Sequence, residues 1–205
     1  MSRRPLLLLA CLLLLLTGCT AEPDAAPAGR PASTSVDVDT AALRVLKREA
    51  GVEPCRRGTG APLADGLPDL TLSCLGGGRP VRLSTLRGPM VVTFFAQWCA
   101  PCRKELPYYQ QLHERAGKAL KVVGVDFLDT QPDSALRLAR RSGVTFPLLA
   151  DPDARVRAPL KLRGLPSVAY VAADGTVTDV EARAFTSYAE LRDAVQDQLG
   201  VDLPA

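Results

Sequence analysis

Histidine is almost missing from this 205-residue chain: His113 stands alone. A lone imidazole cannot build a metal site, and its mid-helix setting reads as a surface or boundary position. Aromatic residues are scarce too, at 5% of the chain against 47% hydrophobic residues in all, so a core must rest largely on Leu, Val and Ala. An excess of either charge is absent. The formal net charge is +3, and without Arg3 and Arg4 the balance is 23 basic to 22 acidic residues. Such a balance gives no electrostatic reason to expect nucleic acid as a partner. The apolar run Leu6–Leu16 is uninterrupted but only eleven residues long, and a membrane span needs ~20. No internal repeat is visible, and the length suits one domain with appendages.

What the N-terminus does have is an address. Ser2-Arg3-Arg4 is a basic start, Leu6–Leu16 has the length of a signal-peptide core, and Leu16-Thr17-Gly18-Cys19 resembles a bacterial lipobox. The expectation is removal of residues 1–18 and lipidation of Cys19. The acyl chains would anchor the protein on the outer face of the bacterial cell membrane, each buried CH₂ contributing ~0.8 kcal/mol. Ordinary secretion past a small-residue cleavage site is the alternative. Residues 19–38 carry Pro23, Pro27 and Pro31 among Ala, Ser and Thr, with no apolar period. That is the composition of a flexible tether.

There are six cysteines. Cys11 falls in the signal core and Cys19 is the lipid site, which leaves Cys55, Cys74, Cys99 and Cys102. Four cysteines allow three pairings. Cys99 and Cys102 form a CxxC, so the simplest pairing is 99–102 with a structural disulfide 55–74, permitted by export. Closing the second loop stabilises by ~3 kcal/mol in the chain-entropy model. A zinc site is the rival, but zinc knuckles come as two closely spaced pairs, and Cys55 and Cys74 are far apart. No metal is expected.

Along the chain, Asp39-Thr40 can cap a helix that runs to Ala50 and closes at Gly51. Leu67–Leu75 and Val81–Leu83 flank three glycines and read as a hairpin. Met90–Phe95 is a short apolar, β-rich run, as a buried strand should be. A helix follows from about Cys99 to Ala116, with Pro107 expected to kink it. Lys121–Asp126 is the next strand, and Thr130 and Asp133 can cap the helix ending at Ser142-Gly143. Phe146–Leu149 reads as extended and Asp153–Leu160 as a short helix. Ser167–Val171 and Thr176–Val180 are strands joined by a turn at Asp174-Gly175. Ser187 and Glu190 form a capping box for a last helix. This order implies an α/β fold with a mixed sheet covered by helices on both faces.

The chemistry lies at Phe94-Phe95-Ala96-Gln97-Trp98-Cys99-Ala100-Pro101-Cys102, where a buried strand gives way to a helix. Cys99 at the helix N-terminus lies beside unpaired N–H groups and the positive end of the dipole, which stabilise a thiolate. Cys102, one turn on, can resolve a mixed disulfide formed on Cys99. Pro101 removes an N–H that would be orphaned anyway. Trp98 can shield the site and offer substrates an apolar surface.

Trp-Cys-x-Pro-Cys after an apolar strand, with a Pro five residues past the second Cys, resembles thioredoxin-like proteins of the TlpA/ResA branch. Gly164-Leu165-Pro166-Ser167, Phe146-Pro147 and Asp151-Pro152-Asp153 are similar to further landmarks of that family. The resemblance covers about Leu63–Leu199. It implies a thioredoxin-like fold over residues 63–201 with an N-terminal β-hairpin extension, preceded by a helical and loop extension over 39–62. It implies a cis Leu165–Pro166 bond facing the dithiol, with the Leu165 backbone pairing to substrate. It implies that an acidic residue after the following strand tunes the CxxC, and Asp129 fits better than Asp126 by spacing; capping or solvating the loop is the other reading of Asp129. The implied function is an extracytoplasmic thiol–disulfide oxidoreductase, a reductase rather than an oxidase. It would act on protein thiols and disulfides, including those of apocytochrome c, and be recharged by a membrane thiol donor. Its redox centre is the Cys99–Cys102 disulfide, with no other cofactor. A dithiol oxidase of exported proteins is the alternative. A metal-binding relative would need Cys-x₃-Cys and a distant His, and a peroxidase would need Thr where Ala96 stands. A structural lipoprotein with an inert CxxC completes the alternatives.

Overall fold

The computed structural model describes residues 36–204. The expected signal peptide, Cys19 and the tether as far as residue 35 lie outside the described residues. The described elements are α1 (Ala41–Ala50), β1 (Thr71–Cys74), β2 (Val81–Arg82), a 3₁₀ turn (Leu83–Thr85), β3 (Met90–Phe95), α2 (Ala100–Ala116) and β4 (Lys121–Phe127). They continue with α3 (Pro132–Arg141), β5 (Leu148–Asp151), β6 (Ser167–Val171), β7 (Val177–Glu181) and α4 (Tyr188–Leu199). Among the described residues no helix is long and apolar enough to cross a membrane.

One seven-stranded sheet runs in the order β2-β1-β5-β4-β3-β6-β7. Strands β3, β4 and β5 are parallel, and β1, β6 and β7 join antiparallel, so the sheet is mixed as expected. Strand β3 lies in the interior of the sheet, next to its middle strand β4. All six of its residues are buried, and it pairs with β4 on one side and β6 on the other. Burial on both faces favours such a continuous apolar run over an alternating one.

The two faces are closed differently. Val91, Phe95, Val168 and Tyr170 point to one side and pack with residues of all four described α-helices, including Leu43, Leu106, Leu136 and Leu191. Met90, Val92, Phe94 and Ala169 point to the other, where Leu83, Val156, Leu160 and Leu162 cover them. The α-helical layer is thus one-sided, and turns take the place of helices on the second face. The expected helix over Asp153–Leu160 is a succession of turns. The Asp151 carboxylate binds the N–H groups of Arg155 and Val156 at 2.9 Å each. Ala154 and Lys161 adopt positive φ, 54° and 52°. Left-handed residues interrupt an α-helix, so the segment closes turn by turn.

The N-terminal part of the described chain is not an appendage. Val36 and Val38, expected in the tether, pack into the helical-side core with Val52. Helix α1 starts where the Thr40 hydroxyl accepts the Leu43 N–H at 3.2 Å. It ends at Gly51, whose φ of 72° lets its N–H return to the Arg48 carbonyl. It packs against α3. The Cys55–Cys74 disulfide fastens the following loop to β1, and β1 pairs with both β2 and β5. Helix α3 differs at its start: Gln131 precedes it with no side-chain cap, and Pro132 opens it. Proline's fixed φ suits the first turn, so the helix can begin without Thr130.

Gly124 of β4 is required by packing. A Cβ there would sit 2.5 Å from Leu148 Cδ2 and 3.1 Å from both Phe146 and Phe95. Gly124→Ala is expected to lower unfolding free energy by ~1–3 kcal/mol through overpacking. Urea titration of the purified protein measures this, and an unchanged midpoint would contradict the packing described.

Candidate active site

The site is built where β3 ends. Phe95 pairs with Asp126, so the loop after β3 lies beside the end of β4. Ser167 pairs with Phe94, which brings the residues just before β6 to the same end of the sheet. The Leu165–Pro166 bond in that segment is cis. Leu165 packs against the core cluster that contains Cys99 and Cys102.

Cys99 is the N-cap of α2. Its φ and ψ, −78° and 104°, are extended, and its Sγ accepts the Cys102 N–H at 3.3 Å. The Cys99 carbonyl takes the first helical bond, from Arg103, at 3.2 Å. Pro101 sits in the first turn, where an N–H would have no partner. Cys99 and Cys102 are joined as a disulfide. Cys99 is 4% exposed and Cys102 is 0%, so the little access there is lies at Cys99. The N-terminal end of the helix supplies partial positive charge to an anion at that sulfur.

Apolar surface stands beside it. Trp98 is 51% exposed, and its indole N–H donates to the Leu128 carbonyl at 3.3 Å. Leu128 is itself exposed and has φ of 52°, a conformation uncommon for a branched residue. The pair forms a ledge that an extended chain can lie against.

Two acidic residues the sequence singled out also meet here. Asp129 is buried, and its carboxylate accepts the Gln97 N–H through Oδ2 and the Gln131 N–H through Oδ1, each at 2.9 Å. It thereby ties the loop before Cys99 to the loop after β4. Asp126 lies deeper, with Oδ1 lacking a partner among the described residues. Burial, then the neighbouring Asp129 charge, raises the Asp126 pKa well above the ordinary carboxylate range.

A third carboxyl was missed in the sequence. Glu105, one turn beyond Cys102, is only 1% exposed. Its Oε2 accepts the Phe185 N–H at 3.0 Å, and its Oε1 has no partner among the described residues. Burial raises its pKa to about 8, against a smaller opposing effect of that hydrogen bond. Such a group is protonated at neutral pH and close enough to that pH to exchange its proton. The signal was available: positions 102, 105, 106, 109, 110, 112 and 116 are the buried residues of α2, and 105 is the acidic member. Among the described residues no group of three His, Cys, Asp or Glu side chains is placed to hold a metal ion.

Comparison with known proteins points one way. Residues 63–180 match the model of the AhpC/TSA family. The thiol-disulfide oxidoreductase ResA of Oceanobacillus iheyensis is 30% identical over 108 residues. That match takes in 52% of this chain and 56% of the relative, so the chain spans little more than half of the relative's length. A secreted Mycobacterium tuberculosis disulfide oxidoreductase, described as homologous to E. coli DsbE, superposes with a TM-score of 0.56 at 26% identity, over 63% of this chain and 96% of its own. A secreted thiol-disulfide isomerase from Corynebacterium glutamicum gives 0.54 at 26% identity, over 64% and 81%.

The Glu105 carboxyl makes stability depend on pH. Unfolded, it ionises near its ordinary 4.5, whereas folded it keeps its proton to about 8. The native state then binds more protons in that window, so this group's contribution falls as pH rises. Relative to Glu105→Gln, the oxidised wild type should lose up to ~1.4 kcal/mol per pH unit there. Urea titrations across the window check this, and parallel curves for the two proteins would contradict it.

Proposed function

Since the chain belongs to the AhpC/TSA family, we propose that it is an extracytoplasmic thiol–disulfide oxidoreductase working through Cys99 and Cys102. The observation that carries the reading is the position of the Cys99 sulfur. It caps the helix that Cys102 belongs to, is bonded to Cys102, and is the more accessible of the two. The names of the ResA and DsbE-like relatives support the same chemistry.

In the reducing direction, the Cys99 thiolate attacks a disulfide sulfur of a protein substrate. A Cys99–substrate bond forms, the substrate disulfide breaks, and the departing thiolate takes a proton. The Cys102 thiolate then attacks Cys99 Sγ, closes the 99–102 disulfide and releases the second substrate thiol. Two electrons pass to the substrate. Helix-terminal N–H groups stabilise the attacking thiolate. In this reading the Glu105 carboxyl, one helical turn from Cys102 and with its pKa raised to about 8, would exchange a proton as that thiol ionises and re-forms. The Trp98–Leu128 ledge and the Leu165 backbone position an extended substrate segment at Cys99. Ala96 stands where a peroxidase would carry its threonine, which speaks against peroxide as the oxidant.

The finer parts of the reading are reductase direction, recharging by a membrane dithiol donor, anchorage through lipid on Cys19, and service to apocytochrome c thiols. They follow from the TlpA/ResA resemblance and the lipobox-like Leu16–Cys19. Cys102→Ser should freeze covalent complexes on Cys99, whereas Cys99→Ser should capture none and lose at least a hundredfold of disulfide-reducing activity toward insulin. Equal activity of the Cys99 variant would sink the proposal. The midpoint potential of the 99–102 pair decides direction: a value well above about −200 mV identifies an oxidase.

A further inference from the structure

Away from this site, the second disulfide has a neighbour that a passive staple does not need. Lys47 of α1 is 8% exposed. Its Nζ donates to Cys74 Sγ at 2.8 Å and to the Gly77 carbonyl at 2.9 Å. The carboxylate that acts on it, Asp39, is bound by Arg44 at 2.7 Å and helps Lys47 only through space. Burial pulls the ammonium's pKa down.

An ammonium taken out of water gains little from a disulfide, because bonded sulfurs carry no charge and accept weakly. The same ammonium beside a thiolate makes a charge-assisted hydrogen bond, roughly twice as strong as a neutral one. Lys47 therefore favours the reduced form of Cys74 over the oxidised form. Stabilising the reduced form is what makes a disulfide oxidising and easily opened.

The other half of the bond, Cys55, is 9% exposed, with its Sγ 3.2 Å from the Leu148 carbonyl oxygen. Cys55 borders a groove of about 840 Å³ whose lining includes Arg56, Arg57, Lys118 and Lys121 against Glu53. Those cations attract a negatively charged thiol and raise its thiolate fraction near Cys55. We propose that Cys55–Cys74 is a second redox site, opened by an anionic thiol entering this groove, with Lys47 stabilising Cys74 as the leaving thiolate.

The electrons balance with two equivalents of such a thiol. The first thiolate attacks Cys55 Sγ; a mixed disulfide forms, the 55–74 bond breaks, and its electron pair leaves on Cys74 Sγ beside the ammonium. A second thiolate attacks the small-molecule sulfur of the mixed disulfide, releasing Cys55, which takes a proton. Two thiols are oxidised to one disulfide, and Cys55 and Cys74 are reduced by two electrons. This does not rest on the function assigned to Cys99 and Cys102, which follow β3, a strand separated from β1 by β5 and β4.

The test equilibrates the full chain in glutathione and glutathione disulfide buffers, alkylates free thiols, and quantifies each cysteine pair separately by mass spectrometry. The wild-type 55–74 bond is expected to open within the series. Lys47→Met should shift its equilibrium constant at least tenfold toward the disulfide, about 30 mV for a two-electron couple. Lys47→Arg, which keeps the charge, should stay near wild type, and the 99–102 equilibrium should not move. A 55–74 bond closed throughout the series in the wild type would overturn the proposal. So would equal constants for wild type and Lys47→Met, or both pairs shifting together.

Discussion

Where β3 hands the chain to α2, the acceptor that satisfies the third N–H of the helix is a sulfur rather than an oxygen. N-cap positions usually hold Ser, Thr, Asp or Asn, whose oxygens do this well. A bonded sulfur is a weak acceptor, and a thiolate is a strong one. The helix start is thus better satisfied when Cys99 is ionised than when it is part of a disulfide. Much of the fold serves to hold that junction in place. The central strand is buried on both faces, Asp129 ties the preceding loop to the end of β4, and Pro101 fixes the first turn.

Around the junction the structure keeps carboxyls where water is scarce. Asp126 and Glu105 each leave an oxygen unpartnered among the described residues, and each has its pKa raised chiefly by burial. Such groups cost stability, and they tend to gather where protons must be moved near neutral pH. With its pKa raised to about 8, Glu105 is largely uncharged at neutral pH. Lys47 at Cys74 presents the opposite arrangement, a buried cation against a sulfur. The two disulfides of one chain thus have different neighbours, buried carboxyls around one and a buried ammonium against the other.

Much of this was legible in the residues. The CxxC at a strand-to-helix junction, the 55–74 pairing, the cap at Thr40 and the Ser187 cap are present, while the Glu190 carboxylate that would complete a box takes the Thr186 N–H instead. The Leu165–Pro166 bond is cis, as the family resemblance implied. What was not legible depends on contacts distant in sequence. Residues 153–160 have helical spacing, yet the Asp151 carboxylate, left-handed Ala154 within the segment and left-handed Lys161 just after it turn them into consecutive turns. The core role of Val36 and Val38 needs the folded sheet beside them. Glu105 passed as one more charge after Arg103 and Lys104, because its burial comes from Phe185 and the last helix. Lys47 had no reason to be noticed until Cys74 was placed beside it.

The central claim is that one sulfur, Cys99, is the activated and approachable member of its pair. Alkylation of the fully reduced protein with iodoacetamide at neutral pH, followed residue by residue in time, tests this directly. The account predicts that Cys99 is modified faster than a free cysteine while Cys102 stays protected until the protein unfolds. Equal rates at the two sulfurs, or Cys102 reacting first, would contradict it.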